Sequence, residues 1–422
     1  MSPAVITLLF LVFAIVMFVT EKIPLALTSM IVCIGLILTK VLDPKEAFNG
    51  FVNTNVILFV AMFVVGGALF ETGMANKIGA VVSKFAKSER QLIVAIMVIT
   101  GVMSGFLSNT GTAAVLIPVV IGIASKSGYS RGRLLMPLAF AAAMGGNLSL
   151  IGAPGNLIAQ SALQELDMGF GFFEFGYVGL PILIIGIIFF SLVGYRFLPN
   201  ETNTDDDGAF SDDVDYSHVP KWKQTLSLVI LIMTILGMIF ENQTGIPLYV
   251  AGCVGAILLV LCRVITEKQA YKAIDMQTIF LFGGTLALAN ALELTGAGEM
   301  IADAVIGLLG QNASPFALLT AIFLLSAVLT NFMSNTATTA LLVPISLSIA
   351  TGMGADPRAV LMATVIGGSC AYATPIGMPA NTMVLSPGGF KFMDYVKAGL
   401  PLIVVSTIVS LVLLPILFPF YP

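Results

Sequence analysis

Five short signatures occur twice in this chain, in the same order and at a nearly constant offset. Pro24 answers Pro247 and Thr72-Gly73 answers Thr295-Gly296, both at 223 residues (247 − 24, 295 − 72). Asn109 answers Asn335 at 226 (335 − 109) and Asn156 answers Asn381 at 225 (381 − 156). Gly179-Leu180-Pro181 answers Gly399-Leu400-Pro401 at 220 (399 − 179). An ordered ladder with so little drift is a duplication. It divides the chain into a first repeat (1–198), a connecting segment (199–223) and a second repeat (224–422), and each half must build the same unit.

The unit is built for a lipid bilayer. Of the 422 residues 58% are hydrophobic and 10% charged, whereas soluble domains carry about 25% charged residues. The opening Met1-Ser2-Pro3-Ala4 has no basic region, and the apolar run behind it ends at Glu21-Lys22 without a small-residue cleavage site. A first span is therefore expected, and not a removable signal. Stretches of ~20 apolar residues predict spans over 3–20, 23–39, 55–70, 177–198, 224–240, 247–264, 277–292 and 399–418. Amphipathic pieces over 75–87, with Lys77, Lys84 and Lys87, and over 297–309 suit the membrane surface.

Two long apolar runs, 91–125 and 315–350, are interrupted by polar islands, Ser108-Asn109-Thr110 and Ser334-Asn335-Thr336. Their halves are too short to cross, so each run reads as a re-entrant helical hairpin with the island at its tip. Behind each hairpin comes a span broken by a proline-containing phrase: 134–160 at Gly152-Ala153-Pro154-Gly155-Asn156, and 358–385 at Gly377-Met378-Pro379-Ala380-Asn381. The expected fold is an all-α polytopic membrane protein of about ten transmembrane helices plus two hairpins. Each half then holds five spans, an odd number, so the second half enters from the opposite side and the repeats are inverted. Charge supplies an independent test. With the N-terminus outside, Lys40, Lys45 and Arg358 are external and the other 16 (19 − 3) Lys and Arg residues are internal. The positive-inside rule puts both termini outside a cell (plasma or inner) membrane.

Several chemistries drop out. Cys33, Cys253, Cys262 and Cys370 fall in predicted spans without close pairing and read as apolar filler. The single histidine, His218, lies in a polar loop, which removes a histidine relay, a zinc site and a Ser-His hydrolase. No Gly-x-Ser-x-Gly or His-Glu-x-x-His motif is present, so an enzyme is not expected. The acidic stretch Asp205, Asp206, Asp207, Asp212, Asp213 and Asp215 lacks the glycine and ligand spacing of a calcium loop and reads as a solvated linker. Nothing points to nucleic acid.

Polar side chains deep in an apolar segment face protein or a wet cavity and mark a pathway. Ser, Thr and Asn are also N-caps, and a helix N-terminus offers unpaired N–H groups and about half a positive charge. Two tips plus two helices restarting at Pro154 and Pro379 aim four positive ends at one midplane point, a cradle for an anion without a buried Arg or Lys. The incoming half-helices end in exposed carbonyls, which together with Ser, Thr and Asn oxygens suit Na⁺. No Asp or Glu falls between Leu92 and Gln160 or between Phe316 and Ala355, which favours sodium over a carboxylate-borne proton. The plain alternative is that these small residues only let helices pack closely.

At these residues the chain resembles the divalent anion/sodium symporter (INDY-type) family of the ion transporter superfamily, over nearly its whole length. The resemblance rests on the two Ser-Asn-Thr tips, the helices running from them to Pro118 and Pro344, and Ala373-Thr374-Pro375-Ile376-Gly377-Met378-Pro379-Ala380-Asn381. It implies a homodimer working by an elevator movement, with hairpins and broken spans moving against a scaffold of the remaining spans. It implies one sodium site at Ser104, Ser108, Asn109 and the carbonyl of Gly152. The other would lie at Thr330, Ser334, Asn335 and the carbonyl of Gly377. The anion would meet Asn109, Thr110, Asn335, Thr336 and Pro379. Carboxylate carriers of this family have a hydroxyl before the proline of each break; here Ala153 and Met378 hold those places and face the substrate. Members commonly have eleven spans, and the one missing here is N-terminal. The expected activity is sodium-coupled import of a small divalent anion, a C4-dicarboxylate first. Alternatives are sulfate or another inorganic oxyanion, a proton- or sodium-antiporting relative exporting an anion, and a passive anion channel.

Overall fold

A computed structural model of the chain describes residues 1–20, 22–80, 88–198, 216, 219–309 and 314–421. The acidic run 205–215, His218 and the 81–87 end of the first surface piece, with Lys84 and Lys87, lie outside them. The described residues are helical throughout, joined by turns and short 3₁₀ segments, with no strand among them. Every peptide dipole pair in lipid must be satisfied internally, and helices do this within one segment.

Among the described residues five helical stretches have the length and apolarity to cross alone: Pro44–Glu71, Glu174–Leu192, Lys221–Ile239, Met276–Leu294 and Phe392–Leu417. The second span of each repeat is shorter than expected. Leu25–Leu38 and Leu248–Leu261 are 14 residues each, about 21 Å at 1.5 Å per residue. Each ends within two residues of a basic residue in the left-handed conformation, Lys40 (φ 57) and Arg263 (φ 55). That turn leads into a capped short helix, Pro44–Phe48 behind the Asp43 capping box and Glu267–Ala273 behind the Thr266 capping box. The polar caps stop the spans where hydropathy alone would have carried them on.

Two of the recurring signatures have matching structural work in both halves. Gly73 (φ 73) and Gly296 (φ 71) supply the left-handed turn behind Thr54–Glu71 and Met276–Leu294, a backbone position that costs glycine nothing. Gly179 and Gly399 press their spans against the broken segments. A β-carbon would lie 2.1 Å from the Asn147 carbonyl oxygen at Gly179 and 2.1 Å from the Tyr372 carbonyl oxygen at Gly399.

Two helical arms meet at each polar island, giving two hairpins. Arms Glu89–Ser104 and Asn109–Ser127 make the first, and Pro315–Leu329 and Asn335–Gly352 the second. The broken spans are Arg131–Gly145 with Pro154–Gln164, and Pro357–Gly368 with Pro379–Leu385. Each restart has proline at its first position, where the missing N–H is no loss and φ is already helical.

Packing sorts the helices into two groups. The hairpins pack on the broken spans and, with them, on Glu174–Leu192 and Phe392–Leu417. The other group joins Leu25–Leu38 to Met276–Leu294 and Thr54–Glu71 to Lys221–Ile239 and Leu248–Leu261. The two spans carrying the Gly-Leu-Pro signature thus go with the hairpins, not with the remaining spans as the family resemblance implies. Their glycines are the reason, since each lies against a carbonyl of a broken segment.

Candidate functional site

Both hairpin tips are built by the same local rule. Ser108 is the N-cap of Asn109–Ser127 and its hydroxyl accepts the Gly111 N–H at 3.0 Å. Ser334 caps Asn335–Gly352 and accepts the Ala337 N–H at 3.2 Å. Each cap takes the third free amide and leaves the amides of Asn109 and Thr110, and of Asn335 and Thr336, at the positive end of the helix. The restarting helices differ. Ala153 and Met378 occupy their cap positions in extended conformation and make no side-chain cap bond. What the sequence presents as two lost hydroxyls is, in the structure, two helix ends with no cap competing for their first-turn N–H groups.

A cavity of 420 Å³ joins these four ends. Ser108, Asn109, Thr110 and Gly111 line it from one hairpin and Ser334, Asn335 and Thr336 from the other. Ala153, Pro154, Gly155, Met378, Pro379 and Ala380 come from the breaks. The substrate residues expected from sequence are therefore brought together in one space, within the usual range of ligand pockets. Several further lining residues were missed by sequence reasoning. Thr339 and Ser369 add hydroxyls, and Ser369 donates to Asn147 Oδ1 at 3.0 Å, across the two halves. Phe63 contributes an apolar wall, and Asp275 caps Met276–Leu294 through Thr278 N (3.2 Å) and Thr278 Oγ1 (2.6 Å). Asp275 is the only ionisable side chain lining the cavity among the described residues, and no Lys, Arg or His does.

Flanking the cavity are two oxygen clusters with identical wiring. Ser104 Oγ lies 2.7 Å from Asn109 Oδ1 and 2.6 Å from the Ala142 carbonyl oxygen. Thr330 Oγ1 lies 2.8 Å from Asn335 Oδ1 and 2.5 Å from the Gly368 carbonyl oxygen. A hydroxyl has one proton to give, so neither can satisfy both acceptors. Each cluster is rich in oxygen and short of hydrogen, the donor set that suits a hard cation. Gly152 is wedged against the Gly105 and Gly146 carbonyls, and Gly377 against the Thr330 carbonyl. The expected sodium residues Ser104, Asn109, Gly152, Thr330, Asn335 and Gly377 thus gather around the incoming ends of the hairpins. Ser108 and Ser334 serve as caps beside them. The carbonyls of Ala142 and Gly368 are additions that no side-chain motif could announce.

Two asparagines brace the breaks. Asn156 Nδ2 donates to Gly146 O (2.9 Å) and Ser149 O (2.7 Å), and Asn381 Nδ2 to Ala371 O (2.7 Å) and Thr374 O (2.8 Å). Ser149 and Thr374 then donate to the Gly105 and Asn331 carbonyls of the hairpins. These bonds offset the backbone groups that interrupting a helix sets free. A separate cavity of 340 Å³, lined by Glu165, Glu293 and Glu299, lies between Pro154–Gln164 and Met276–Leu294 and touches none of the tips.

Residues 15–367 match the model of a family described as "Citrate transporter". Uncharacterized transporters from Escherichia coli (YfbS, 24% identical, 96% of this chain and 98% of that protein) and Haemophilus influenzae (28%, 94% and 88%) are similar along their length. The sodium-dependent dicarboxylate transporter SdcS of Staphylococcus saprophyticus is 23% identical over 95% of this chain and 83% of its own. Two solved structures share the fold at 16% identity. The Alcanivorax borkumensis YdaH transporter has a TM-score of 0.65 over 89% of both chains. Neisseria gonorrhoeae MtrF, titled an antimetabolite efflux pump, has 0.66 over 100% of this chain and 97% of that one. The chain is a transporter and not an enzyme, an integral membrane protein that belongs to the citrate transporter family of the ion transporter superfamily.

Proposed function

We propose that this protein couples sodium entry to import of a small divalent carboxylate, a C4-dicarboxylate first. The observation that carries the reading is the pairing of one cavity, closed by four helix N-termini and free of cationic side chains, with two proton-poor oxygen clusters on its flanks. Backbone dipoles cradle the anion, and co-transported sodium supplies the positive charge that side chains do not. The similarity to SdcS, named for sodium-dependent dicarboxylate transport, supports both the ion and the substrate class.

Movement follows from the two packing groups. The hairpin-bearing group carries every residue of the oxygen clusters, so it can shift as one body against the other spans without taking the sites apart. With both termini outside, a reading the positive-inside rule supports, Leu25, Ala273 and Asp275 stand at cytoplasmic span ends and the cavity faces the cytoplasm. The opposed repeats are inverted, and the protein works as a homodimer in the cell membrane. Citrate is the second reading, favoured by the description of the matching family.

The test is uptake of labelled succinate, citrate and sulfate by proteoliposomes, with and without an inward sodium gradient. Sodium-stimulated succinate uptake above the other two is expected. Equal uptake in sodium and in choline would remove the coupling, and preference for citrate would select the second reading.

A further inference from the structure

The central cavity does not stop at the tips. A space of 230 Å³ adjoins it at Phe63, Ser108, Gly111 and Ala273 and continues to Phe70, Glu71 and Lys272. There it meets a third cavity, of 640 Å³, lined by Glu71, Lys272, Lys223, Gln269 and Tyr216. Glu71 accepts a hydrogen bond from Gln269 Nε2 at 2.8 Å. Neither the Lys272 nor the Lys223 ammonium forms an ion pair or hydrogen bond among the described residues; the Lys223 ammonium sits 5.6 Å from the centroid of the Trp222 ring. Two lysines, with the Glu71 carboxylate, thus line one space that leads to a site with no cationic side chain.

We infer that Lys272 and Lys223 form a second, low-affinity anion site in this vestibule, a waystation for the substrate between the hairpin tips and the cytoplasm. The inference rests on the transport reading above for its substrate and its sidedness. An ammonium is a compact, strongly hydrated charge and holds an anion loosely, which suits passage and not storage. Its field reaches about 8–10 Å at physiological salt and raises the local concentration of anions at the mouth of a cleft. The Asp275 carboxylate at the inner cavity opposes an approaching anion, and the lysine pair counters it one step further out.

The test places a reporter in the vestibule wall, Val219→Cys in a full-length chain with the four native cysteines replaced, and compares its modification by anionic and cationic methanethiosulfonates. Coulomb attraction in water at ~7 Å changes a monovalent ion's local concentration about threefold per charge. The anionic-to-cationic rate ratio should therefore fall about tenfold at low salt when Lys272→Gln is added. It should fall further with Lys223→Gln, and all ratios should converge at high salt. A ratio unchanged by removing both lysines overturns the inference whether or not the protein moves dicarboxylate. In proteoliposomes the same double variant should raise KM for internal succinate severalfold and leave external KM alone. An unchanged internal KM in a protein that transports succinate overturns the waystation while the transport reading stands.

Discussion

Removing the Thr330 hydroxyl separates the two halves of the sodium argument. Thr330→Val keeps shape and volume but deletes the atom 2.8 Å from Asn335 Oδ1 and 2.5 Å from the Gly368 carbonyl. A contact from such a group to a charged partner contributes about 1.5–3 kcal/mol. At about 1.4 kcal/mol per decade, sodium half-saturation of uptake should rise about 10- to 100-fold. The same change strips a partner from the Gly368 carbonyl, which costs about 1–3 kcal/mol of stability. Thr330→Ser retains the oxygen and should stay near the parent on both counts. The assay is initial uptake of labelled succinate against sodium concentration, with thermal unfolding in detergent as the fold control. A folded Thr330→Val protein with the parent's sodium dependence would refute the reasoning, because an oxygen could then be deleted from the cluster at no cost to the ion.

Three other outcomes are expected. Asn381→Ala or Asn156→Ala leaves two buried carbonyls without partners and should destabilise by about 2–6 kcal/mol, read as a lowered unfolding temperature; parental stability would mean the breaks hold without their asparagine. Ala153→Ser with Met378→Thr puts hydroxyls back at both uncapped helix starts and should shift the succinate-to-sulfate uptake ratio toward succinate, whereas identical profiles would show that these positions do not tune recognition. Loss of solvation on burial, and then the Glu293 charge, push the Glu165 carboxyl, at the rim of the acidic cavity, up to about 7. Because the folded state disfavours the ionised form, stability should fall as pH rises from about 4.5 through about 7 and level off above; Glu165→Gln should raise the unfolding temperature above pH 7 and flatten the profile.

Much of this site is legible in the sequence for a physical reason. A polar island inside an apolar run is costly in lipid unless it has work to do, so Ser108-Asn109-Thr110 and Ser334-Asn335-Thr336 announce themselves, and duplication ties each to its mate. The restarts are legible because Pro154 and Pro379 can stand only at a helix start or a kink. The rest is hidden in backbone and tertiary contact. Ala142 and Gly368 offer carbonyls, which carry no side-chain signature. Ser369 precedes the break of the 358–385 span and Asp275 lies just ahead of the 277–292 span, and neither is announced as a lining residue until the chain closes on itself. The Gly-Leu-Pro pairs are visible as repeats, but only the closeness of Gly179 to the Asn147 carbonyl and of Gly399 to the Tyr372 carbonyl, which leaves no room for a β-carbon, explains why those spans pack with the hairpins. Span ends set by the left-handed Lys40 and Arg263 were likewise beyond a hydropathy count.

Equilibrium binding bears most directly on the claim that dipoles and a co-bound cation hold the anion. Labelled succinate should bind the purified protein in sodium, lose that binding when choline or potassium replaces it, and regain it in proportion to sodium added back. Binding of equal strength in all three salts would contradict the account, since the anion would then be held by charge that the cavity itself supplies.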